Sequence, residues 1–265
     1  MYSPFQLALK YFHYYFKASN GKGHGVHSPF VFEFVTKVIN DERHFYAYDR
    51  IEDVRRDLLL DKKVLTIRDF GAGSNVSKSN ERKVKDIARS ALKSKKFGQL
   101  MFRMVDFYHL NTVVELGTSF GITTSYLASG NALGKVYTFE GANEVAEIAK
   151  ENFKQLELNN IEIVEGNFDD TLPVHLKRIN SIDLAFVDGN HRKQPTIHYF
   201  ERMLEKAGKN SIFIFDDIHW SREMEEAWQY IQQHSSVTLS IDLFFVGIVF
   251  FREEQRVQQH FSIRF

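Results

Sequence analysis

Val113-Val114-Glu115-Leu116-Gly117-Thr118-Ser119-Phe120-Gly121 is the stretch on which the fold turns. A β-branched apolar run from Thr112 ends at Leu116, two glycines follow, and helical periodicity resumes over Thr123–Ala128. A strand entering a helix through a glycine turn brings backbone close to a ligand at a helix N-terminus. Working outward, strand patterns recur at Lys135–Glu140, Ile161–Glu165, Ile182–Asp188 and Ser211–Asp216. Helical patterns fill the gaps at Glu144–Gln155, Pro195–Lys206 and Arg222–Gln233. Strands alternating with helices imply a parallel sheet covered on both faces. The alternation then stops. Val237–Phe244 and Gly247–Arg252 are separated by only a short turn, which can join only antiparallel neighbours. The expectation is a doubly wound α/β sheet of five parallel strands plus a C-terminal antiparallel hairpin, seven strands in all.

Upstream of residue 95 the texture is different: aromatic, helical and interrupted by two glycine-rich loops. Phe5, Leu7, Leu9, Phe12, Tyr15 and Phe16 predict an amphipathic helix over Ser3–Lys17, stopped by Asn20-Gly21. Ser28 and Pro29 predict the N-cap and first position of a second helix to Ile39. A third runs from Ser79/Asn80 to Leu92. The chain therefore reads as a helical extension or lid, 1–95, followed by an α/β domain, 96–265.

Composition narrows the chemistry. Lys+Arg and Asp+Glu both number 34 in 265 residues, so there is no net charge to draw polyanions. With no Cys, disulfides, thiolate metal sites and cysteine nucleophiles are excluded. The 25 Phe and 11 Tyr supply material for a large core. No apolar run reaches the roughly 20 residues of a membrane span, and the start lacks the order of a signal peptide. A cytoplasmic protein is expected.

The Gly117–Gly121 spacing is G-x-x-x-G and not the G-x-G-x-x-G of a dinucleotide fold. Glu140 ends the second strand, where one carboxylate can accept both hydroxyls of a ribose. Together they resemble an S-adenosylmethionine-binding loop. A second glycine run, Asp69-Phe70-Gly71-Ala72-Gly73-Ser74, precedes polar residues and reads as a loop that could cover an active site.

Two later strands end in carboxylates: Asp188 before Gly189-Asn190-His191, and Asp216-Asp217. In a parallel sheet these ends share one edge, where converging carboxylates repel unless a hard cation joins them. Capping of the following helices is the equal alternative from spacing alone.

These features are similar to the catechol and caffeoyl-coenzyme A O-methyltransferases, class I enzymes with a Rossmann-like fold, and their sugar and macrocin relatives. The family carries an E-hydrophobic-G-x-x-x-G loop, an acid ending the second strand, an aspartate after the fourth and an Asp-Asp or Asp-Asn pair after the fifth. Asp188 and Asp216 are 28 residues apart, as in the catechol enzyme. Lys96-Phe97-Gly98-Gln99-Leu100-Met101 resembles the family's lead-in helix, and Gly166-Asn167-Phe168-Asp169 with Pro173 its adenine-side loop. The resemblance covers Lys96 to Arg252.

The resemblance implies an S-adenosylmethionine-dependent O-methyltransferase acting on a small hydroxylated molecule. It assigns the cofactor to Glu115, Gly117, Thr118, Ser119, Gly121, Glu140, Gly141, Asn167, Phe168 and Asp188. It assigns a divalent cation, Mg²⁺ foremost, to Asp188, Asp216 and Asp217. The family's catalytic lysine is replaced by His191, and an imidazole can take a proton at neutral pH. Asp188 and His191 are the expected catalytic pair. Asp-Gly-x-His also occurs in the sugar-modifying relatives, which points away from simple catechols.

Several residues keep two readings. His219 and Trp220 line an acceptor pocket or pack a helix, as Trp228 could. Asp242 contacts substrate or is a solvated edge residue. His24 and His27 are ligands or turn histidines. The run Arg82, Lys83, Lys85, Arg89, Lys93, Lys95 and Lys96 is a solvated helix face, or holds RNA in an RNA-modifying alternative. A non-catalytic cofactor-binding protein is the third reading. The aromatic first helix is a lid, a homodimer face or an interfacial membrane contact, and its few cations, Lys10 and Lys17, speak against the last.

Overall fold

The computed structural model describes residues 1–23, 27–67, 81–254 and 257–265. The first helix, α1 (Pro4–Lys17), opens with a reciprocal cap: Gln6 N–H donates to the Ser3 hydroxyl at 3.3 Å, and Ser3 N–H to the Gln6 side chain at 2.9 Å. Ser28 caps α2 (Pro29–Phe34) as its sequence requires, and a π turn over Val35–Ile39 prolongs it. The next helix, α3 (Tyr46–Leu60), was not anticipated from periodicity.

A small antiparallel pair follows, β1 (Val64–Thr66) with β2 (Glu81–Lys83), and then α4 (Val84–Ala91). The helix expected from Ser79/Asn80 therefore begins later, because pairing with β1 claims Glu81–Lys83 as strand. The Asp69–Ser74 loop and His24 lie outside the described residues.

From α5 (Lys95–Tyr108) the alternation is as read: β3 (Thr112–Leu116), α6 (Ile122–Gly130), β4 (Lys135–Glu140), α7 (Asn143–Gln155) and β5 (Ile161–Glu165). A short α8 (Phe168–Leu176), also unanticipated, precedes β6 (Ile182–Val187). Then come α9 (Lys193–Leu204), β7 (Ala207–Asp216), α10 (Arg222–Gln233), β8 (Leu239–Asp242), β9 (Val246–Phe250) and β10 (Gln259–Ser262). All seven expected strands are present, and β10 adds to them. The class is a Rossmann-like α/β fold.

The chain forms two compact units, Glu42–Arg178 and Met1–Asp41 with Ile179–Phe265, a partition that does not follow the change of texture at residue 95. In the first, β3, β4 and β5 pair in parallel in that order. Tyr48, Ile51 and Val54 of α3 share a buried cluster with Phe102, Phe120, Tyr126 and Ile148. The Tyr126 hydroxyl donates to Glu52 at 2.8 Å, so α3 is tied to α6 by a hydrogen bond inside this core. Gly98 is required there, since a Cβ would meet the Tyr126 ring at 2.5 Å.

In the second unit the strand order is β10-β8-β9-β7-β6. β6 and β7 are parallel, β9 lies antiparallel to both β7 and β8, and β10 runs parallel to β8. Trp228 of α10 packs across β9, where a Cβ on Gly247 would meet its ring at 2.6 Å. Among the described residues, no helix is long and apolar enough to cross a membrane.

Candidate active site

The register of each parallel pair sets the site residues side by side. In the first unit Leu116 pairs with Phe139, so Gly117 and Glu140 continue neighbouring strands. The Phe139 carbonyl accepts N–H bonds from Gly117 at 3.0 Å and Thr118 at 3.1 Å. The turn then needs three positive φ values, Gly117 (104°), Ser119 (49°) and Gly121 (76°). Glycine suits two of these, since an L side chain is strained there. At Gly121 a Cβ would also lie 2.3 Å from the Phe153 ring.

Four backbone donors of the loop, those of Gly117, Thr118, Ser119 and Gly121, are spent within the protein. Ser119 N–H donates to Glu140 Oε2 at 2.8 Å and Gly121 N–H to the Thr118 carbonyl at 2.9 Å. Such a loop is not built as a phosphate cradle, which needs N–H groups turned outward. Glu140 Oε1 also accepts from Ala142 N–H at 3.0 Å, so both carboxylate oxygens are oriented by backbone. An ionised carboxylate has about four acceptor sites, and a fixed carboxylate of this kind suits a vicinal diol.

Glu115 is the acid two residues before Gly117. It is fully buried and accepts from the Thr124 hydroxyl and, at 2.7 Å, from Thr138. Its environment is that of a carboxylate stitching β3, β4 and α6 together. Asn167 caps α8, accepting from Asp169 N–H at 3.0 Å, with Phe168 half-buried behind it and Gly141 half-buried after β4.

In the second unit Val187 pairs with Phe215, which makes Asp188 and Asp216 adjacent at the ends of β6 and β7. Asp216 is buried and Asp188 half-buried. Two left-handed residues, Asn190 (φ 64°) and His191 (φ 22°), curl the chain back after Asp188. His191 Nε2 thereby comes to 3.5 Å from Asp188 Oδ1. Asp188, His191 and Asp216 each offer a ligand atom within 4.8 Å of the others, and among the described residues this is the group able to hold a metal. Asp217, the expected third carboxylate, is not in that group. Its φ of 54° and the bond from its N–H to the Phe245 carbonyl at 2.7 Å turn it into the next loop.

Trp220 is half-buried with its ring 5.6 Å from that of His191, whereas Trp228 is a packing residue. His219 bridges two acids, Asp242 at 2.8 Å through Nε2 and Glu225 at 3.1 Å through Nδ1. Burial disfavours a charged ring, but the hydrogen bonds and charges of Asp242 and Glu225 outweigh it and raise the His219 pKa. Glu225 also accepts from the Tyr2 hydroxyl at 2.7 Å and Lys10 at 2.9 Å, which with His219 hold its pKa below the usual value despite burial. Glu225, Tyr2 and Lys10 escaped sequence reading because more than 200 positions separate them. His27 is exposed, and the basic run does not form one helix face: Arg82 and Lys83 are in β2, Lys85 and Arg89 in α4, Lys93 follows α4, and Lys95 and Lys96 open α5.

Comparison with known proteins bears on the fold that carries these residues. Residues 114–218 match the family described as "Methyltransferase domain". A relative from Sulfolobus acidocaldarius, described as "Probable cobalt-precorrin-6B C(15)-methyltransferase (decarboxylating)", is 32% identical over 76 residues, covering 28% of this chain. The chain spans only 38% of that relative's length. An O-methyltransferase from Bacillus cereus in complex with SAH is 18% identical, with a TM-score of 0.55 over 80% of this chain and 93% of that one. TomG, an O-methyltransferase from Streptomyces achromogenes involved in tomaymycin synthesis, in complex with SAM, is 15% identical, with a TM-score of 0.57 over 79% of this chain and 91% of that one. At these identities the likeness is one of fold.

Proposed function

We propose that this chain is a class I methyltransferase that transfers a methyl group from S-adenosylmethionine to a hydroxyl oxygen of a small molecule in the cytoplasm; the methyltransferase-domain match over residues 114–218 and the likeness of fold to O-methyltransferases support this reading. The observation that carries the oxygen acceptor is the Asp188–His191–Asp216 group, two acids and a base gathered at the ends of β6 and β7. The fit of the cofactor rests on a Glu140 carboxylate oriented beside the glycine loop by two backbone N–H groups.

The donor set also fits a divalent cation. A buried carboxylate beside a second carboxylate is unfavourable without a positive charge nearby. Asp188 and Asp216 would hold the ion, with Asp217 at the next position in the chain. When bound, such an ion lowers the pKa of an acceptor hydroxyl. The carboxylate oxygens suit Mg²⁺ or Mn²⁺, and His191, within the same 4.8 Å, is left to act as the base.

Methyl transfer from a sulfonium is an in-line displacement, so alignment is the main task of the protein. The acceptor hydroxyl loses its proton to His191, the carbon–sulfur bond breaks as the oxygen–carbon bond forms, and S-adenosylhomocysteine leaves. Asp188 stabilises the imidazolium so formed, at 3.5 Å. The Trp220 ring, 5.6 Å away, limits how far the imidazole can turn. His219 and Asp242 stand as substrate-side residues in this reading, locked to each other at 2.8 Å. An RNA acceptor fits less well, since the basic run is divided among β2, α4 and the start of α5, and its Arg89 lies 3.9 Å from Asp86.

Calorimetry with S-adenosylmethionine and S-adenosylhomocysteine, with and without Mg²⁺, tests the reading on wild type and Glu140→Ala. Micromolar binding that the substitution removes supports it; absence of binding under every condition rejects it. A panel of hydroxylated acceptors, followed by mass spectrometry, then tests the oxygen assignment.

A further inference from the structure

One face of α1 is bare and apolar. At 3.6 residues per turn, Phe5, Leu9, Phe12 and Phe16 fall within an arc of about 60°. They are 72%, 56%, 63% and 71% exposed, in a chain whose other large aromatics are mostly buried. The helix is not loosely held. Its opposite face packs Tyr11 and Tyr14 on Phe244, the Tyr14 hydroxyl donates to the Ile263 carbonyl, and Lys10 is paired with Glu225 at 2.9 Å. The bare stripe is thus presented by a fixed scaffold, and Tyr15 and Phe245 widen it at 46% and 49% exposure.

We propose that this stripe is an isologous interface by which two copies of the chain pair through antiparallel α1 helices. Three features select a second copy as the occupant. The stripe is symmetric: its spacing of 4, 3 and 4 residues reads the same in both directions. A two-fold axis midway between Leu9 and Phe12 sets Phe5 against the partner's Phe16 and Leu9 against the partner's Phe12, as a closed dimer requires. The area is right. A fully bare large apolar side chain presents about 150–250 Å², so at 46–72% exposure the six residues offer on the order of 700 Å² per copy, near the ~800 Å² per partner of a stable interface. That exceeds the roughly 300–600 Å² of the largest apolar patch on a typical monomer.

The charge pattern agrees. The arc contains no charged side chain, and the helix's cations are Lys10, held by Glu225, and Lys17. A lipid surface would instead call for a cationic flank. The interface would also bear on the candidate site from behind, because the Phe245 carbonyl accepts from Asp217 N–H and the Trp220 carbonyl from Tyr2 N–H at 3.0 Å. The pairing does not depend on the methyl-transfer reading, since its readout is mass.

The test is sedimentation velocity of the full chain at micromolar concentration, with Leu9→Glu/Phe12→Glu alongside and circular dichroism to verify folding. Wild type should sediment as a dimer and the folded double variant as a monomer. The absence of native Cys permits a positional test. Under mild oxidation, Phe5→Cys chains should form disulfides with Phe16→Cys chains but not with one another, being about 16 Å apart in the antiparallel pair. A monomeric wild type, a dimer that survives both glutamates, or equal cross-linking of Phe5→Cys with itself would each overturn the proposal. So would a monomer that instead pellets with phosphatidylserine–phosphatidylcholine vesicles through the same residues.

Discussion

The Nε2 atom of His191 lies 3.5 Å from Oδ1 of Asp188, three residues before it in the chain. Neither residue is on a regular element: two left-handed backbone positions after β6 bring the ring back over the carboxylate. An imidazole so placed gains a counter-charge when it takes a proton. His191→Ala should therefore lower kcat by about 10²- to 10⁴-fold, the usual contribution of general acid–base catalysis. The Kd for S-adenosylmethionine should move little. Equal losses in both would assign His191 to cofactor binding and remove it as base.

Asp216 is buried beside Asp188 and offers a ligand atom to the group that includes His191. Asp216→Asn should abolish any stimulation of methylation by Mg²⁺ and eliminate Mn²⁺ binding as read by electron paramagnetic resonance. Full activity of this variant in excess chelator would reject a metal role for the group.

Glu140 accepts N–H bonds from Ser119 at 2.8 Å and Ala142 at 3.0 Å. A charged hydrogen bond is worth about 1.5–3 kcal/mol, so Glu140→Gln should weaken S-adenosylhomocysteine by roughly 10- to 100-fold. Calorimetry measures this directly. Unchanged affinity would mean that the carboxylate serves only the turn.

His219, between Asp242 and Glu225, has a pKa raised above its ordinary value of about 6.5. Its folded state binds the proton more tightly than the unfolded chain does, so it stabilises fully below pH 6.5 and loses that contribution as pH rises through the raised value. Against His219→Gln, wild type should be more stable by on the order of 2 kcal/mol at pH 6, and the difference should shrink at alkaline pH. Denaturant midpoints across that range give the answer; a gap that widens with pH would show the ring to be neutral.

Gly121 combines a φ of +76° with a Phe153 ring 2.3 Å from where a Cβ would stand. Gly121→Ala should destabilise by about 2–4 kcal/mol, from left-handed strain and overpacking together. Thermal unfolding tests this, and a loss below about 0.5 kcal/mol would mean that Phe153 moves aside freely.

Most of the fold was legible in the chain because periodicity is local. β3, β4 and β5 begin and end where the apolar patterns do, and the caps at Ser3 and Ser28 operate on neighbours within one turn. Helix α3 was missed because Tyr46, Tyr48 and the charged residues around Arg55 blur its stripe; its identity comes from packing against Phe102 and Tyr126. The start of α4 was misjudged for a related reason, since only pairing with Val64–Thr66 makes Glu81–Lys83 a strand.

At the candidate site the division is similar. The sequence by itself determined the β–α order, the glycine loop, and which residues end each strand: Glu140, Asp188 and Asp216. Those are short-range properties of pattern and turn chemistry. Only the tertiary structure decided that His191 gathers with Asp188 and Asp216 in a group that does not include Asp217, that Glu115 is buried among threonine hydroxyls, and that His219 is held by Glu225 and Asp242. Those outcomes depend on strand register and on a few left-handed residues, and a small change in either redirects a side chain without altering the residue pattern that encodes the fold.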